Sequence, residues 1–281
     1  MAPSKLLNGI VSKSARTADP APRIQSIGRV SNILNGLLAA QRGALQLSEL
    51  ARACGLAKTT TFTLLDSLVK IGLVDRDGTG YRLGMHNLSY ARAVERHLDI
   101  VAIARPALMR LGTLTRETVS LALPRPFEAF IVDSFEGSRS NRLSVYAGTS
   151  APYHATACGR ALLAFQPRAV VDSLYRRGPL ERCTERTLVS PDALDQVLAS
   201  CRSSGWTIER EENEIGAGCI AVPIPSGGTA KAAISIAAPA ARLDKKSIGR
   251  YVDLLLRETA AIGQAFESQR ALAANGSSRT I

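Results

Sequence analysis

The sequence has little of what several protein classes require. No window holds the roughly 18 clean apolar residues of a membrane span, and the longest apolar stretch, around Ile100 to Leu114, is broken by Arg105, Pro106 and Arg110. The N-terminus carries Lys5, Lys13, Arg16 and Arg23 without an apolar segment leading to a small-residue cleavage site, a pattern that argues against a secretory signal and for a soluble, cytoplasmic protein. Five cysteines (Cys54, Cys158, Cys183, Cys201 and Cys219) lie far apart with no Cys-x-x-Cys pair, and there are three histidines. Neither a disulfide framework nor a zinc site finds ligands at its spacing, so the thiols read as reduced and mostly buried. No G-x-S-x-G elbow, P-loop or H-E-x-x-H helix occurs, no cofactor or metal is implied, and an enzyme is not expected. Gly216-Ala217-Gly218-Cys219-Ile220-Ala221 fits G-x-G-x-x-A, but strand-like residues with Pro223 and Pro225 follow, so the helix that should receive a pyrophosphate is missing.

What is present suits two ordinary globular domains: 281 residues, 46% of them hydrophobic. The net charge is +11, and residues 1–98 carry 13 Lys and Arg against 6 Asp and Glu, while residues 99–281 carry 22 against 18. Positive charge therefore concentrates in the first third, as it would in a segment that meets a polyanion. A basic tail on a solvated surface is the plainer alternative.

Residues 1–22 show no apolar periodicity and read as a disordered arm. Ile27, Val30, Ile33, Leu34, Leu37 and Leu38 recur at helical spacing and predict one buried stripe. A short second helix is expected from Ser48, acting as its N-cap, to Cys54, with Gly55-Leu56 as the turn. A third, about Ala57 to Ile71, places Thr61, Leu64, Leu65 and Leu68 inward and Thr60, Thr63 and Ser67 outward, and Gly72 stops it. Two short alternating runs around Asp77-Gly78-Thr79-Gly80 signal a hairpin. Helix, helix-turn-helix and hairpin in that order describe a winged helix-turn-helix over residues 23–84. Residues 85–98 read as a linker and dimerisation helix, followed by a helix to Arg116 that Pro106 kinks or restarts. Strand-like runs at 118–123, 127–134, 142–146, 207–210, 219–224 and 230–237, with helical patterns at 157–165, 170–174, 192–203 and 245–269, favour an antiparallel sheet flanked by helices over 99–270. Residues 271–281 read as a disordered tail. The fold class is α+β.

Residues 24–84, including L-S-E-L-A-R-A-C-G-L-A-K-T-T-T-F-T-L-L-D-S-L-V-K-I-G-L-V and G-Y-R-L-G, resemble the DNA-binding domain of the IclR-type transcription regulators. Y-H-A-T-A-C-G-R-A-L-L-A at 153–164 and E-R-E-E-N-E-I-G-A-G-C-I-A-V-P-I at 209–224 look like the same family's effector-domain signatures. The resemblance implies a GAF-like C-terminal domain and a cytoplasmic homodimer or dimer of dimers that grips double-stranded operator DNA. It also implies a small-molecule effector and control of a catabolic operon. A winged-helix protein that only scaffolds or binds nucleic acid non-specifically is the competing reading.

Ser48, Lys58, Thr59, Thr60 and Thr63 are the expected DNA contacts on the helix-turn-helix, with Arg76 and Arg82 in the wing as phosphate or minor-groove contacts or else as solvated charges. Where the family commonly carries Arg, this chain has Thr63, which predicts a weakened guanine preference at the facing base. Asp66 reads as the partner of a basic side chain. For the effector, Thr156 as an N-cap leaves early N–H groups of the helix, at Ala157 and Cys158, for a carboxylate, with Gly159 permitting close approach, and the resemblance adds Glu209, Cys219 and Ser235. Ala237 stands where the family often has a second Ser, so the resemblance points to an organic acid with an apolar or aromatic portion. The alternative is a capped core helix with a buried Cys. His154 and Cys158, four apart, read as packing, and the glutamates at 209, 211, 212 and 214 as a solvated loop.

Overall fold

In the computed structural model the described residues are 22–40, 43–95 and 99–277. The expected arm, apart from residue 22, and residues 278–281 lie outside them. The chain divides into two compact units, Met1–His97 and Leu98–Ile281.

The first unit opens with α1 (Gln25–Ala39), whose Ile33 and Leu37 are buried. Ile27, at 56%, and Leu38 are exposed although their spacing puts them in the predicted buried stripe. A strand not anticipated from the sequence, β1 (Leu45–Gln46), precedes α2 (Leu47–Cys54). Ser48 is inside α2 and is not its cap; the boundary residue is Gln46, whose backbone N–H donates to the Glu49 carboxylate at 2.8 Å. This is the reach-back that a Glu at the third helical position makes. The next helix, α3 (Lys58–Lys70), buries Thr61, Leu65 and Leu68. Gly55 (φ 64°) follows α2 and Gly72 (φ 74°) follows α3. Each ends its helix with a pair of backbone bonds, Leu56 N–H to Ala51 and Gly55 N–H to Arg52, then Leu73 N–H to Leu68 and Gly72 N–H to Val69. This left-handed closure satisfies carbonyls that would otherwise be orphaned. The wing is β2 (Val74–Asp77) and β3 (Gly80–Leu83), closed by two residues with Gly78 at φ 58°, and β3 also pairs with β1. A Cβ at Gly84 would stand 2.2 Å from the Gly72 carbonyl oxygen, so the chain leaves the wing pressed against the end of α3. Then comes α4 (Asn87–Glu95), with Leu88, Tyr90 and Val94 exposed.

The second unit begins with α5 (Asp99–Thr115), which runs through Pro106 unbroken. A six-stranded antiparallel sheet follows, in the order β6-β5-β4-β9-β8-β7. Its strands are β4 (Thr118–Arg125), β5 (Glu128–Phe135), β6 (Ser150–Pro152), β7 (Thr207–Arg210), β8 (Ala217–Ser226) and β9 (Thr229–Pro239). The helices are α6 (Ala157–Leu163), α7 (Arg168–Arg176), α8 (Pro191–Ser204) and α9 (Lys245–Ser277). Alternation along the strands sorts the sheet into two faces. Val119, Leu121, Ile220, Val222, Ile234 and Ile236 form one core with α5 and α9. Ala122, Ile131, Ala221 and Ala233 form the other with α6 and α8. Pro223 and Pro225 lie in β8 beyond the reach of β7, which pairs only as far as Ala221, and Pro225 follows the register shift in the pairing with β9.

The expected strand at Arg142–Tyr146 is absent. That segment is held by side chains instead: Thr118 Oγ1 donates to the Leu143 carbonyl and Ser134 Oγ to that of Val145. Helix α9 continues to Ser277, past the helical pattern read to 269 and into the expected disordered tail.

Candidate DNA-binding face and effector site

On α3 the threonines sort by angle. Thr61 is buried and its hydroxyl donates to the Ala57 carbonyl at 3.0 Å, so one of the run serves the core. Lys58, Thr59 and Thr63 are exposed and Thr60 is half-buried. Ala57, at the N-terminal boundary, has no capping side chain. Asp66 pairs with Lys70 at 2.8 Å, which lowers its pKa, chiefly through that hydrogen bond, and removes it as a base reader. Ser48 is half-buried on α2. In the wing, Arg76 is exposed and lies over the Tyr81 ring at 5.8 Å, while Arg82 is tied to Asp77 at 3.2 Å. The two arginines are therefore not equivalent: one is stacked with its charge outward, the other partly neutralised. Phe62, 47% exposed on the flank of α3, escaped the sequence reading; its place one residue past Thr61 set it just off the core stripe.

In the second unit the residues of the expected effector site converge. Glu209 faces Cys219 across β7 and β8, Cys219 faces Ala237 across β8 and β9, and Ser235 is opposite Ala221 on one side and Ser120 on the other. All point to the sheet face that α6 covers, with Cys158 on α6 close to Glu209 and Cys219. The lining is small and buried apart from Cys219, which is half-buried. Glu209 is 4% exposed and its pKa is pushed up to about 7, chiefly by burial, although its Oε2 accepts from the Glu212 N–H at 3.1 Å. Burial also raises the Cys158 thiol to about 11 and the Cys219 thiol well above its ordinary value, so neither is a nucleophile at neutral pH.

Thr156 caps α6 as expected, and the bond it accepts limits which amides are left. Thr156 Oγ1 donates to the Pro152 carbonyl at 2.7 Å and accepts from Gly159 N–H at 3.1 Å, so the N–H of Gly159 is already spent. A Cβ at Gly159 would stand 2.6 Å from Pro152 O, Thr156 Oγ1 and Tyr153 Cα. The glycine thus lets α6 lie against its own leading strand, and Ala157 and Cys158 are left to offer the N-terminal amides. His154 bonds through Nε2 to the Glu181 carbonyl at 2.7 Å, and burial lowers its pKa, so the ring is neutral. Cys158 Sγ is 3.7 Å from Thr156 Oγ1, so the side chains of His154 and Cys158 each bond elsewhere.

The glutamate loop departs from a solvated one. Arg160, 1% exposed, donates to the His154 carbonyl at 2.8 Å and forks onto both carboxylate oxygens of Glu212. Glu211 pairs with Arg186. No local pattern signals this, because the partners of Arg160 and Glu211 lie 52 and 25 residues away. Ser120 was also missed: its hydroxyl is buried beside Ser235 with no hydrogen-bond partner among the described residues. Among the described residues no group of three or more His, Cys, Asp or Glu could hold a metal ion, and no helix is long and apolar enough to cross a membrane.

A winged helix-turn-helix followed by a separate helix-flanked sheet with a buried polar cluster defines a class, the DNA-binding transcription regulators. Residues 26–78 match the IclR helix-turn-helix domain model and residues 92–263 the model of the bacterial transcriptional regulator IclR C-terminal domain. The chain belongs to the IclR family. It is similar to the HTH-type transcriptional regulator XynR of Escherichia coli, 30% identical over 87% of this chain and 98% of the relative. The transcriptional repressor IclR of the same species is 29% identical, over 90% and 94%. Among solved structures, Thermotoga maritima IclR superposes with a TM-score of 0.69 at 27% identity, covering 86% of this chain and 96% of that one. An IclR homologue from Microbacterium hydrocarbonoxydans, complexed with 4-hydroxybenzoate, gives 0.71 at 25%, over 86% and 98%. These relatives are transcriptional regulators, not enzymes.

Proposed function

We propose that the chain is a sequence-specific, cytoplasmic operator-binding regulator of a catabolic operon, built as a homodimer or dimer of dimers. Residues 23–84 grip DNA, 85–98 link and dimerise, and 99–270 bind a small organic acid that alters the grip. The observation that carries the effector reading is the cluster of Glu209, Cys219, Ser235 and Cys158 beneath the N-terminus of α6. A Glu poised near neutrality can keep its proton beside an incoming carboxylate and donate to it, while the amides of Ala157 and Cys158 accept the charge. The alanines around it and the 4-hydroxybenzoate bound by the Microbacterium homologue support an acid with an apolar or aromatic portion. The exposed apolar side chains of α4, Leu88, Tyr90 and Val94, support dimerisation through that helix.

Calorimetry with glyoxylate, pyruvate and 4-hydroxybenzoate tests the effector: the aromatic acid is expected to bind most tightly, and binding by the two small acids alone would overturn the pocket reading. Footprinting upstream of the chain's own gene tests the rest. A regulator protects a discrete palindromic site; diffuse protection would favour a non-specific nucleic-acid binder.

A further inference from the structure

We infer that Thr63, supported by Ser67, selects A·T pairs in the major groove, because the centre of α3 presents acceptor oxygens and a methyl group in place of donors. The inference rests on the DNA-binding reading above and specifies its chemistry. A hydroxyl carries one hydrogen and two lone pairs. Thr63 Oγ1 spends its hydrogen on the Thr59 carbonyl at 3.1 Å, and Ser67 Oγ spends its own on the Thr63 carbonyl at 2.9 Å. Both side chains are exposed and one turn apart, so they share one outward face. What they show to solvent is lone pairs and the Thr63 methyl.

Beyond the hydroxyls of Thr59 and Thr60, toward its N-terminus, the rest of α3 brings no donor side chain to this place. Its sequence, Lys58 to Lys70, contains no Arg, Asn or Gln. Lys58 is at the opening of the helix, and Lys70 is held by Asp66 at 2.8 Å. Guanine offers the major groove two acceptors, N7 and O6, which would face lone pairs. Cytosine offers an amino group but no methyl. An A·T pair alone offers both an amino donor, adenine N6, and a methyl, that of thymine, in one edge.

The test is selection of bound duplexes from a randomised library by the full chain and by its Thr63→Arg, Thr63→Ser and Thr63→Val variants. The base pair whose preference moves with Thr63→Arg is the one residue 63 faces. The wild type is expected to select A·T there, and replacing that thymine by deoxyuridine should weaken its binding about three- to tenfold. The same replacement should cost the Thr63→Ser variant nothing, since the protein methyl is already gone, while Thr63→Val keeps the full sensitivity. G·C selected by the wild type at that pair overturns the inference, as does equal loss on deoxyuridine substitution in wild type and Thr63→Ser, or base preferences that no variant moves. A wild type that enriches no site at all would instead overturn the regulator reading, and the inference with it.

Discussion

On α3 of the first unit the hydroxyls of Thr63 and Ser67 are exposed and bonded to carbonyls of their own helix, whereas in the second unit Glu209, Ser235 and Ser120 are buried on a sheet face under α6. One surface can meet its ligand without rearrangement. The other has its polar groups already withdrawn from water, so a ligand must replace contacts the protein now makes with itself. The stability of the second unit should therefore be more sensitive to single polar changes, and the first unit's changes should appear in binding.

The largest effect is expected at Arg160. Removing it leaves Glu212 and the carbonyl of His154 without their donor inside the domain, a loss of about 3–5 kcal/mol typical of breaking a buried pair. Trp206, the single tryptophan, lies in the second unit and reports its unfolding by fluorescence in denaturant. Arg160→Ala that unfolds at the wild-type midpoint would erase the contrast between the units. A double change, Arg160→Met with Glu212→Leu, is expected to cost less than Arg160→Ala.

Glu209 sharpens the same contrast through pH. Its folded pKa is about 7 against an ordinary 4.5, so between those values the folded state holds a proton that the unfolded state has released. Stability from this group therefore falls as pH rises from about 4.5 to about 7 and is level above, by at most about 3 kcal/mol. Glu209→Gln, which cannot ionise, should gain on the wild type as pH rises through that window. Parallel stability profiles for the two proteins between pH 4.5 and 8 would show that the carboxyl is not held protonated.

Gly159→Ala comes next, at about 1–3 kcal/mol, because the added Cβ would stand 2.6 Å from backbone atoms of Pro152 and Tyr153. A variant of wild-type stability that bound 4-hydroxybenzoate less well would restore the idea that this glycine makes room for a ligand.

The difference between the units also explains what could be read from sequence. The winged helix was legible almost residue by residue because short-range rules shape it: period, glycine closures at Gly55 and Gly72, and a two-residue hairpin. Its misses were local, such as the cap at Gln46 in place of Ser48 and the two-residue strand β1, too short to show alternation. The strands of the second unit were legible too, except that Arg142–Tyr146 has strand-like residues and no partner strand among the described residues, while the three-residue β6 (Ser150–Pro152) was not anticipated. The site was only half legible. Cys158 came from the cap reading of α6 and Glu209, Cys219 and Ser235 from resemblance, while Ser120 and the Arg160–Glu212 pair depend on strand register and on contacts across long stretches of chain.

The smallest effects belong to the cations of the first unit, where water and salt screen every interaction. Lys58 is exposed at the start of α3, and if it meets a phosphate, Lys58→Ala should weaken DNA binding by about 1 kcal/mol for all sequences alike and reduce the salt slope by about 1. Arg82 should matter less than Lys58 because Asp77 already holds it at 3.2 Å. Asp77→Asn then becomes the discriminating change: it releases Arg82 and removes a negative charge from the wing, so affinity should rise by a few tenths of a kcal/mol at low salt and converge with the wild type as salt is added. Lower affinity for Asp77→Asn would mean that the ion pair positions the wing for DNA, and the first unit would then resemble the second in depending on internal polar contacts.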